Sequence, residues 1–330
     1  VKAIRVVEHG GPEVLVAGEH PAPELRAGHA LVRVAAAGVN MADVLMRLGP
    51  SGVPCPFVPG VEGAGIVEAV GDGVEEVAVG DRVAWSPVKQ ASSVGSYAER
   101  ALVGGAQLMP IPDDVSLTTA AGTILQGLTA AYLVNDIAEV GPGRTVLVHA
   151  AAGGTGRMVV QWATHLGADV IGTVSSQAKS EVARAAGAAH VVRYDREDVA
   201  EAVLALTNGR GAEYVVDGVG GAMFSADLRA VADRGHIVVF GRVGGLPERF
   251  SAIELVARSI SVTGGYMVNY LRNQHEVAVK ADMVWSGVCD GWLVPLVEAV
   301  PLGEAASAHR RLQERATVGK LVLEVDGSLR

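Results

Sequence analysis

The stretch Val146-Leu-Val-His-Ala-Ala-Ala-Gly-Gly-Thr-Gly156 limits most strongly what this chain can fold into. An apolar run of strand type leads directly into a glycine-rich turn. A helical pattern follows over Met158–Leu166, with apolar residues at three-to-four spacing. Gly153 leaves room for backbone to approach a pyrophosphate, and Gly156 lets the helix pack closely on the strand. The helix start turns the N–H groups of Gly154 and Thr155, and the positive end of its dipole, toward phosphates. Ala151 stands where the G-x-G-x-x-G pattern has its first glycine, so the match is imperfect. A tight strand-to-helix turn is the competing reading, but it does not explain three glycines among four residues.

The surroundings decide between them. From Thr145 onward, apolar runs at Thr145–Ala150, Asp169–Val174, His190–Tyr194, Tyr214–Val219, His236–Gly241 and Ser261–Gly265 alternate with helix-length segments such as Val199–Leu206. Six strands with five crossovers make a doubly wound parallel sheet, the Rossmann arrangement, with the glycine loop after its first strand. The first third reads differently. Lys2–Val7, Ala30–Ala36, Gly65–Val70, Asp81–Trp85 and Tyr97–Val103 are short β-branched runs between Gly, Pro and Asp turns, which suggests a barrel or partly open sheet. The chain returns to that style at its end, closing on Leu321–Val325. The expected fold is therefore α/β: a β-rich domain of residues 1–124, an inserted Rossmann domain of 125–264, and a return to the first domain over 265–330.

Composition narrows the partners. A net charge of −9 with no Lys/Arg cluster argues against nucleic acid, and 49% hydrophobic residues argue against disorder. The longest uncharged stretch, Val115–Asn135, is broken by Thr118, Thr119, Gly122, Gln126 and Gly127. It reads as a buried helix with a loop rather than a membrane span. Cys55 and Cys289 stand far apart in no metal-ligand spacing and make no disulfide framework, so a reducing, cytoplasmic setting is expected. The opening Val-Lys-Ala-Ile-Arg-Val-Val reads as a strand and lacks the apolar core of a signal peptide.

Cofactor choice follows from the second strand of the inserted domain. An NAD site usually ends that strand with an acid for the ribose 2′-hydroxyl. Here it ends Gly172-Thr-Val-Ser175-Ser176, with Lys179 one helical turn beyond and Tyr194 closing the third strand. A hydroxyl, a cation and a phenol suit the 2′-phosphate of NADPH, whose charge an Asp would repel. A solvated helix face is the competing reading of Lys179.

With these residues assembled, the chain resembles the zinc-independent quinone oxidoreductases (the ζ-crystallin-like group) of the medium-chain dehydrogenase/reductase superfamily. The segments that carry the resemblance run nearly the full length in order. They are His9-Gly-Gly-Pro-Glu-Val-Leu15, Ala37-Gly-Val-Asn40-x-x-Asp43, Pro59-Gly-x-Glu-Gly-Ala-Gly65, Gly80-Asp-Arg-Val83, His149 through Gly156, and Arg315-Ala-Thr-x-Gly-Lys320. The resemblance implies a GroES-like first domain, an active site in the cleft between the domains, and homodimers or homotetramers pairing through an edge of the nucleotide-binding domain. It implies NADPH as cofactor, with residues matching Ser175, Lys179 and Tyr194 on the 2′-phosphate. Asn40, Thr129, Gly153–Gly156 and Phe240–Gly241 match cofactor-lining positions, and Arg315 and Lys320 match C-terminal positions near the cleft. A helix-surface salt bridge explains Arg315 equally well.

Zinc-dependent relatives carry a ligand Cys where this chain has Asn40 and a ligand His where it has Val61. Neither residue replaces a thiolate or imidazole in a tetrahedral zinc shell, so no metal is expected. The remaining histidines read as surface or packing positions. Hydride delivery to an acceptor that is already electron-poor remains. Asn40 is the candidate donor to the developing oxygen charge, with a turn residue after Gly38 as the competing reading, and Asp43 reads as the cap of the following helix. Tyr132, Tyr266 or water are the candidate proton donors, with Tyr132 also fitting a core position in its Ala-rich helix. Three functions stay open. The first is an NADPH:quinone reductase. The second is a reductase of an α,β-unsaturated ketone or enoyl thioester, favoured by Leu45 and the run Gly49–Pro54 where quinone reductases often carry tyrosines. The third is an NADPH-binding protein with little turnover.

Overall fold

The computed structural model describes residues 1–89, 95–247 and 249–329. The chain divides into two units: one of Val1–Leu128, Val268–Asp290 and Pro295–Arg330, the other of Thr129–Met267 and Gly291–Val294.

The first unit is built on the ten-residue strand His29–Gly38. Gly63–Val70 pairs antiparallel along one edge. On the other edge, Arg100–Gly104 covers its beginning and Lys320–Glu324 its end. Strands Val297–Pro301, Arg82–Trp85 and Leu108–Pro110 complete the seven-stranded sheet, and Lys2–Val6 with Leu15–Glu19 forms a separate antiparallel ribbon. Alternate residues Ala30, Val32 and Val34 are fully buried against Val67, Val83, Trp85 and Val103, as a half-buried antiparallel strand requires. The register of this sheet places the two ends of the unit together. Val322 lies opposite Gly38, and the Val39 N–H donates to Leu321 O (2.9 Å), so the C-terminal strand is bound to the approach to residue 40.

The strands of the second unit are numbered in chain order: Thr145–Val148 (β1), Asp169–Val174 (β2), His190–Arg193 (β3), Ala212–Asp217 (β4), Val231–Val239 (β5) and Ser261–Gly264 (β6). They form one parallel sheet in the order β3-β2-β1-β4-β5-β6. This is a doubly wound parallel sheet, the class expected from the sequence, and its order puts the topological switch beside β1. The middle residues of successive strands, Ile171, Leu147, Val215 and Ile237, are buried together, which is why these runs are continuously apolar. The short segment Gly291–Val294 joins this unit from far along the chain. Gln161 takes both backbone groups of Val294 (2.9 and 3.1 Å), and Trp292 stacks on His165 with ring centroids 4.1 Å apart.

Among the described residues no helix is long and apolar enough to cross a membrane. The stretch 115–135 instead forms the helices Leu117–Ala121 and Ile124–Asn135.

Candidate active site

In the second unit the chain leaves β1 through His149 and Ala150, the latter at φ 51°, and starts the helix Gly154–His165 with Gly153 as N-cap. A Cβ on Gly156 would stand 2.3 Å from Ala150 O, so only glycine lets the helix start this close to the turn. On Gly153 a Cβ would stand 3.3 Å from Ala150 O and meet nothing else, so no neighbouring side chain fills the space over that backbone. Gly153, Gly154 and Thr155 are partly exposed. The first-turn N–H groups have no carbonyl within the helix to accept them. An open cradle of this shape fits a dinucleotide pyrophosphate. Ala151, the departure from the glycine pattern, is buried against Gly172 of β2, where a Cβ would stand 2.7 Å from the Ala151 methyl.

The turn is held from below. His149 is fully enclosed, with Nε2 2.6 Å from Asp227 Oδ1 and Nδ1 2.8 Å from Thr173 Oγ1. Burial opposes a charge on this ring, but Asp227 outweighs it and the pKa is raised. Among the histidines that read as surface or packing positions, this one has a definite task. His149 ties the first turn of the loop to β2 and to the helix Ala222–Ala230.

Ser175 follows β2, partly exposed, and Lys179 lies in the first turn of the helix Gln177–Ala185, which Ser176 caps (Lys179 N to Ser176 Oγ, 3.3 Å). Tyr194 follows β3 and its N–H donates to Val174 O (3.2 Å). The three therefore stand at the carboxyl ends of adjacent strands, where open α/β sheets bind ligands. Phe240 and Gly241 follow β5. The Phe240 N–H donates to Asp217 O, and a Cβ on Gly241 would stand 2.5 Å from Gly218 O. Thr129 is buried, with Oγ1 3.4 Å from Met267 Sδ. Tyr132 is 1% exposed and its hydroxyl donates to Gly265 O (3.3 Å), whereas Tyr266 is 66% exposed.

The first unit carries a different cluster. Lys320, 4% exposed, sits where the C-terminal strand begins and forms an ion pair with Glu62. Its ammonium also donates to Asn40 Oδ1 (2.6 Å) and, with the Gln126 amide oriented to satisfy both its ends, to Gln126 Oε1 (2.6 Å). All three ammonium protons are thus spent on neighbours in the same unit. Asn40 Nδ2 donates to Glu62 Oε1 at 2.8 Å and only weakly to Gly38 O at 3.4 Å. Glu62 Oε2 accepts from the Leu125 N–H (3.0 Å). A Cβ on residue 38 would stand 2.1 Å from Glu62, so Gly38 makes the space for this carboxylate. Arg315 stands apart from the cluster, exposed at φ 57° just past the helix Ala305–Gln313.

Asp43 lies beneath Asn40, fully buried. It accepts from the N–H groups of Asn40 (2.8 Å) and Val61 (3.1 Å). The helix Met41–Leu48 begins two residues before Asp43 with Asn40 as its N-cap, so Asp43 is not the cap itself but the third helical residue that closes the capping box, and it also ties down a second segment. Burial raises its pKa to about 7 against the backbone donors and Lys320. Sequence reasoning misses Glu62, Gln126 and the aromatic and basic groups beyond Asp43, because nothing in their spacing announces that they meet.

This donor set does not fit a zinc ion. Among the described residues no three His, Cys, Asp or Glu side chains gather as a metal needs. The polar centre of the first unit already holds an ammonium, which would repel a second cation.

A parallel sheet with a glycine loop at its switch point, together with a β-rich unit holding a buried polar cluster, defines a two-domain oxidoreductase of the dinucleotide-binding kind. Comparisons with known proteins agree. Residues 26–113 match the alcohol dehydrogenase GroES-like domain, and residues 154–283 match the zinc-binding dehydrogenase family. The quinone oxidoreductase of Pseudomonas aeruginosa is 37% identical over 328 residues, covering 98% of this chain and 99% of that protein. The 2-haloacrylate reductase of a Burkholderia species is 35% identical over 333 residues, covering 98% of both. A mycobacterial protein solved in complex with NADPH superposes with a TM-score of 0.93 at 38% identity, covering 98% of this chain and 100% of that one. The chain belongs to the zinc-independent quinone oxidoreductase group of the medium-chain dehydrogenase/reductase superfamily.

Proposed function

We propose that this chain is an NADPH-dependent reductase that passes hydride to a quinone without a metal. The observation that carries the reading is the Lys320–Asn40 contact, which puts a buried cation directly behind an amide donor. When bound, NADPH supplies the hydride. Gly153, Gly154, Thr155 and Gly156 hold its pyrophosphate, and Ser175, Lys179 and Tyr194 take the 2′-phosphate. Thr129, Phe240 and Gly241 line the rest of the cofactor. Asn40 turns its weakly held Nδ2–H to the acceptor oxygen, and Lys320 pulls on the amide oxygen so that this donor strengthens as negative charge builds. The final proton comes from Tyr266 or water, because the Tyr132 hydroxyl is spent in the core.

A second reading, reduction of an α,β-unsaturated carbonyl, has two specific supports. The side of the helix after Asn40 carries the half-buried Leu45 rather than a phenol, and one relative of the whole chain is named for reducing a haloacrylate. Following NADPH oxidation with a panel of 1,4-quinones beside a panel of 2-alkenones and 2-alkenoates tests both. Turnover on the quinones alone is the expected result. Turnover on the alkenyl panel alone replaces it with the second reading, and tight NADPH binding without turnover on either sinks both.

The second unit also offers a surface for a second copy of the chain. β6 is the last strand of its sheet, and Leu246, Ile253, Val256 and Tyr266, which flank it in the sequence, are each about two-thirds exposed or more. Pairing of β6 with its symmetry mate would bury this apolar face and remove an open edge. Light scattering should give a homodimer or tetramer; a monomer at micromolar concentration would overturn the assignment.

A further inference from the structure

Beyond Asp43 a row of buried polar groups runs through the first unit with no part in the steps assigned to Asn40 and Lys320. Tyr97, His309 and Arg47 are each 0% exposed, as is Asp43. Arg47 Nη1 lies 3.3 Å from His309 Nδ1, His309 Nε2 lies 3.0 Å from the Tyr97 hydroxyl, and that hydroxyl lies 3.4 Å from Asp43 Oδ2. Gly10 O and Gln313 Oε1 accept two more of the five Arg47 guanidinium protons, at 3.1 and 2.7 Å.

The chemistry of the two ends fixes the direction of every bond. A guanidinium only donates, so His309 Nδ1 must accept and the ring proton must sit on Nε2. That proton goes to the Tyr97 oxygen, which leaves the Tyr97 proton for Asp43. Asp43 then receives three donors, from Tyr97, Asn40 and Val61, and offers none. Three donors with no acceptor opposite them favour the charged carboxylate over the neutral carboxyl, whose own proton finds no partner. Burial and the Arg47 charge both keep His309 neutral, as this tautomer requires, with its pKa down to about 3.

We propose that Tyr97, His309 and Arg47 are positioning residues of the acceptor site, a one-way hydrogen-bond chain that keeps Asp43 charged and thereby holds the segments bearing Asn40 and Glu62 together. The two N–H groups that Asp43 binds belong to Asn40 itself and to Val61, the neighbour of Glu62. Losing the charge on Asp43 loosens both arms of the Lys320 cluster at once. The inference rests on the reading of Asn40 as the acceptor's donor.

The groups that face Asp43 are Lys320, which favours its charge, Glu62, which opposes it, and Tyr97. Glu13 faces Arg47 at the far end of the chain. Burial leaves Asp43 titrating near neutrality, so a single lost donor is visible in a pH profile.

The test compares the wild-type chain with Tyr97→Phe and Asp43→Asn in kcat/KM for the acceptor between pH 5.5 and 9. Tyr97→Phe keeps the ring and removes one donor to the carboxylate. Its acidic limb should move up by about one pH unit, with roughly tenfold lower kcat/KM at pH 6.5, recovery toward wild type at pH 8.5–9 and unchanged NADPH affinity. Asp43→Asn should lose activity at every pH and lose the limb. An unmoved limb, or an equal fractional loss at all pH values, would overturn the proposal. If the wild-type chain turns over neither panel, the functional reading fails and melting temperature serves instead. A carboxyl with a raised pKa destabilises the fold as pH climbs from its ordinary value through its folded value. That loss should extend to higher pH in Tyr97→Phe than in wild type; coincident curves would overturn the hydrogen-bond chain independently of catalysis.

Discussion

Lys320 Nζ reaches Asn40 Oδ1 at 2.6 Å across 280 positions of sequence. The contact exists because the C-terminal strand pairs with the end of His29–Gly38, bringing residue 320 to the exit of that strand. The same ammonium neutralises Glu62, which is 0% exposed. Lys320→Met therefore leaves a buried carboxylate without its cation, which is expected to cost about 3–5 kcal/mol of stability. Adding Glu62→Gln should restore most of that loss while acceptor turnover stays down by about tenfold or more. Thermal melts and kcat on the two proteins check this. Full activity in the double variant would remove Lys320 from the mechanism.

Cofactor preference is predicted to lie in three residues at two strand ends. Ser175→Asp with Lys179→Ala places a carboxylate where a 2′-phosphate is expected and removes the cation beside it. The ratio of kcat/KM for NADPH over NADH should fall by on the order of 100-fold, chiefly through KM for NADPH. An unchanged ratio would mean that the 2′-phosphate binds elsewhere.

The two ends of the glycine loop should behave differently. A methyl group on Gly153 would make one tight contact within the protein, with Ala150 O at 3.3 Å, which a shift of a few tenths of an ångström relieves. Gly153→Ala should fold normally and weaken NADPH binding, and Gly153→Val should abolish it. Gly156 has no such latitude, because a Cβ would press on Ala150 O at 2.3 Å. Gly156→Ala should lower the melting temperature before cofactor is added. Titration of NADPH against both, beside their melts, separates the roles; equal stability losses would remove the distinction.

The second unit is legible in the sequence because its signals are local. Strand, glycine turn and helix follow one another within a few residues, and Asp169–Val174 coincides with β2 residue for residue. The strand ends that carry Ser175 and Tyr194 follow from the same rhythm. The first unit is legible in class and less so in detail. The run Tyr97–Val103 reads as one strand, yet its pairing with His29–Gly38 covers only Arg100–Gly104. Residues 97–99 pair instead with the strand Lys2–Val6, whose Ile4 N–H donates to Tyr97 O (2.8 Å) and whose Lys2 O accepts from the Glu99 N–H (3.0 Å). The polar cluster is beyond reach for a related reason. Asn40 and Lys320 stand out by their motifs, but Glu62, Gln126, Tyr97 and His309 join them through long-range pairings that no spacing encodes.

Acid stability gives a last prediction, carried by His309. Its folded pKa is lowered to about 3 by burial and then by Arg47, against an ordinary value of 6.5. A buried neutral histidine contributes stability above its ordinary pKa, and that contribution is lost as pH falls from there toward the folded value, since the unfolded chain binds the proton first. Asp43 acts with the opposite sign, because its raised pKa makes the folded chain the better proton acceptor up to about pH 7. In wild type the two slopes offset each other over the window they share, between the ordinary carboxyl range and pH 6.5. His309→Gln retains an amide that can still accept from Arg47 and donate to Tyr97, but it no longer titrates. The stability gap between wild type and His309→Gln should be widest above pH 7. It should narrow by about 1.4 kcal/mol for each unit of acidification below 6.5, on the order of 2 °C in melting temperature. Asp43 is common to both proteins and drops out of the difference to first order. Scanning calorimetry at pH 7.5, 6.5, 5.5 and 4.5 measures the gap directly, and a gap that stays constant across that range would show that His309 is not held neutral in the folded chain.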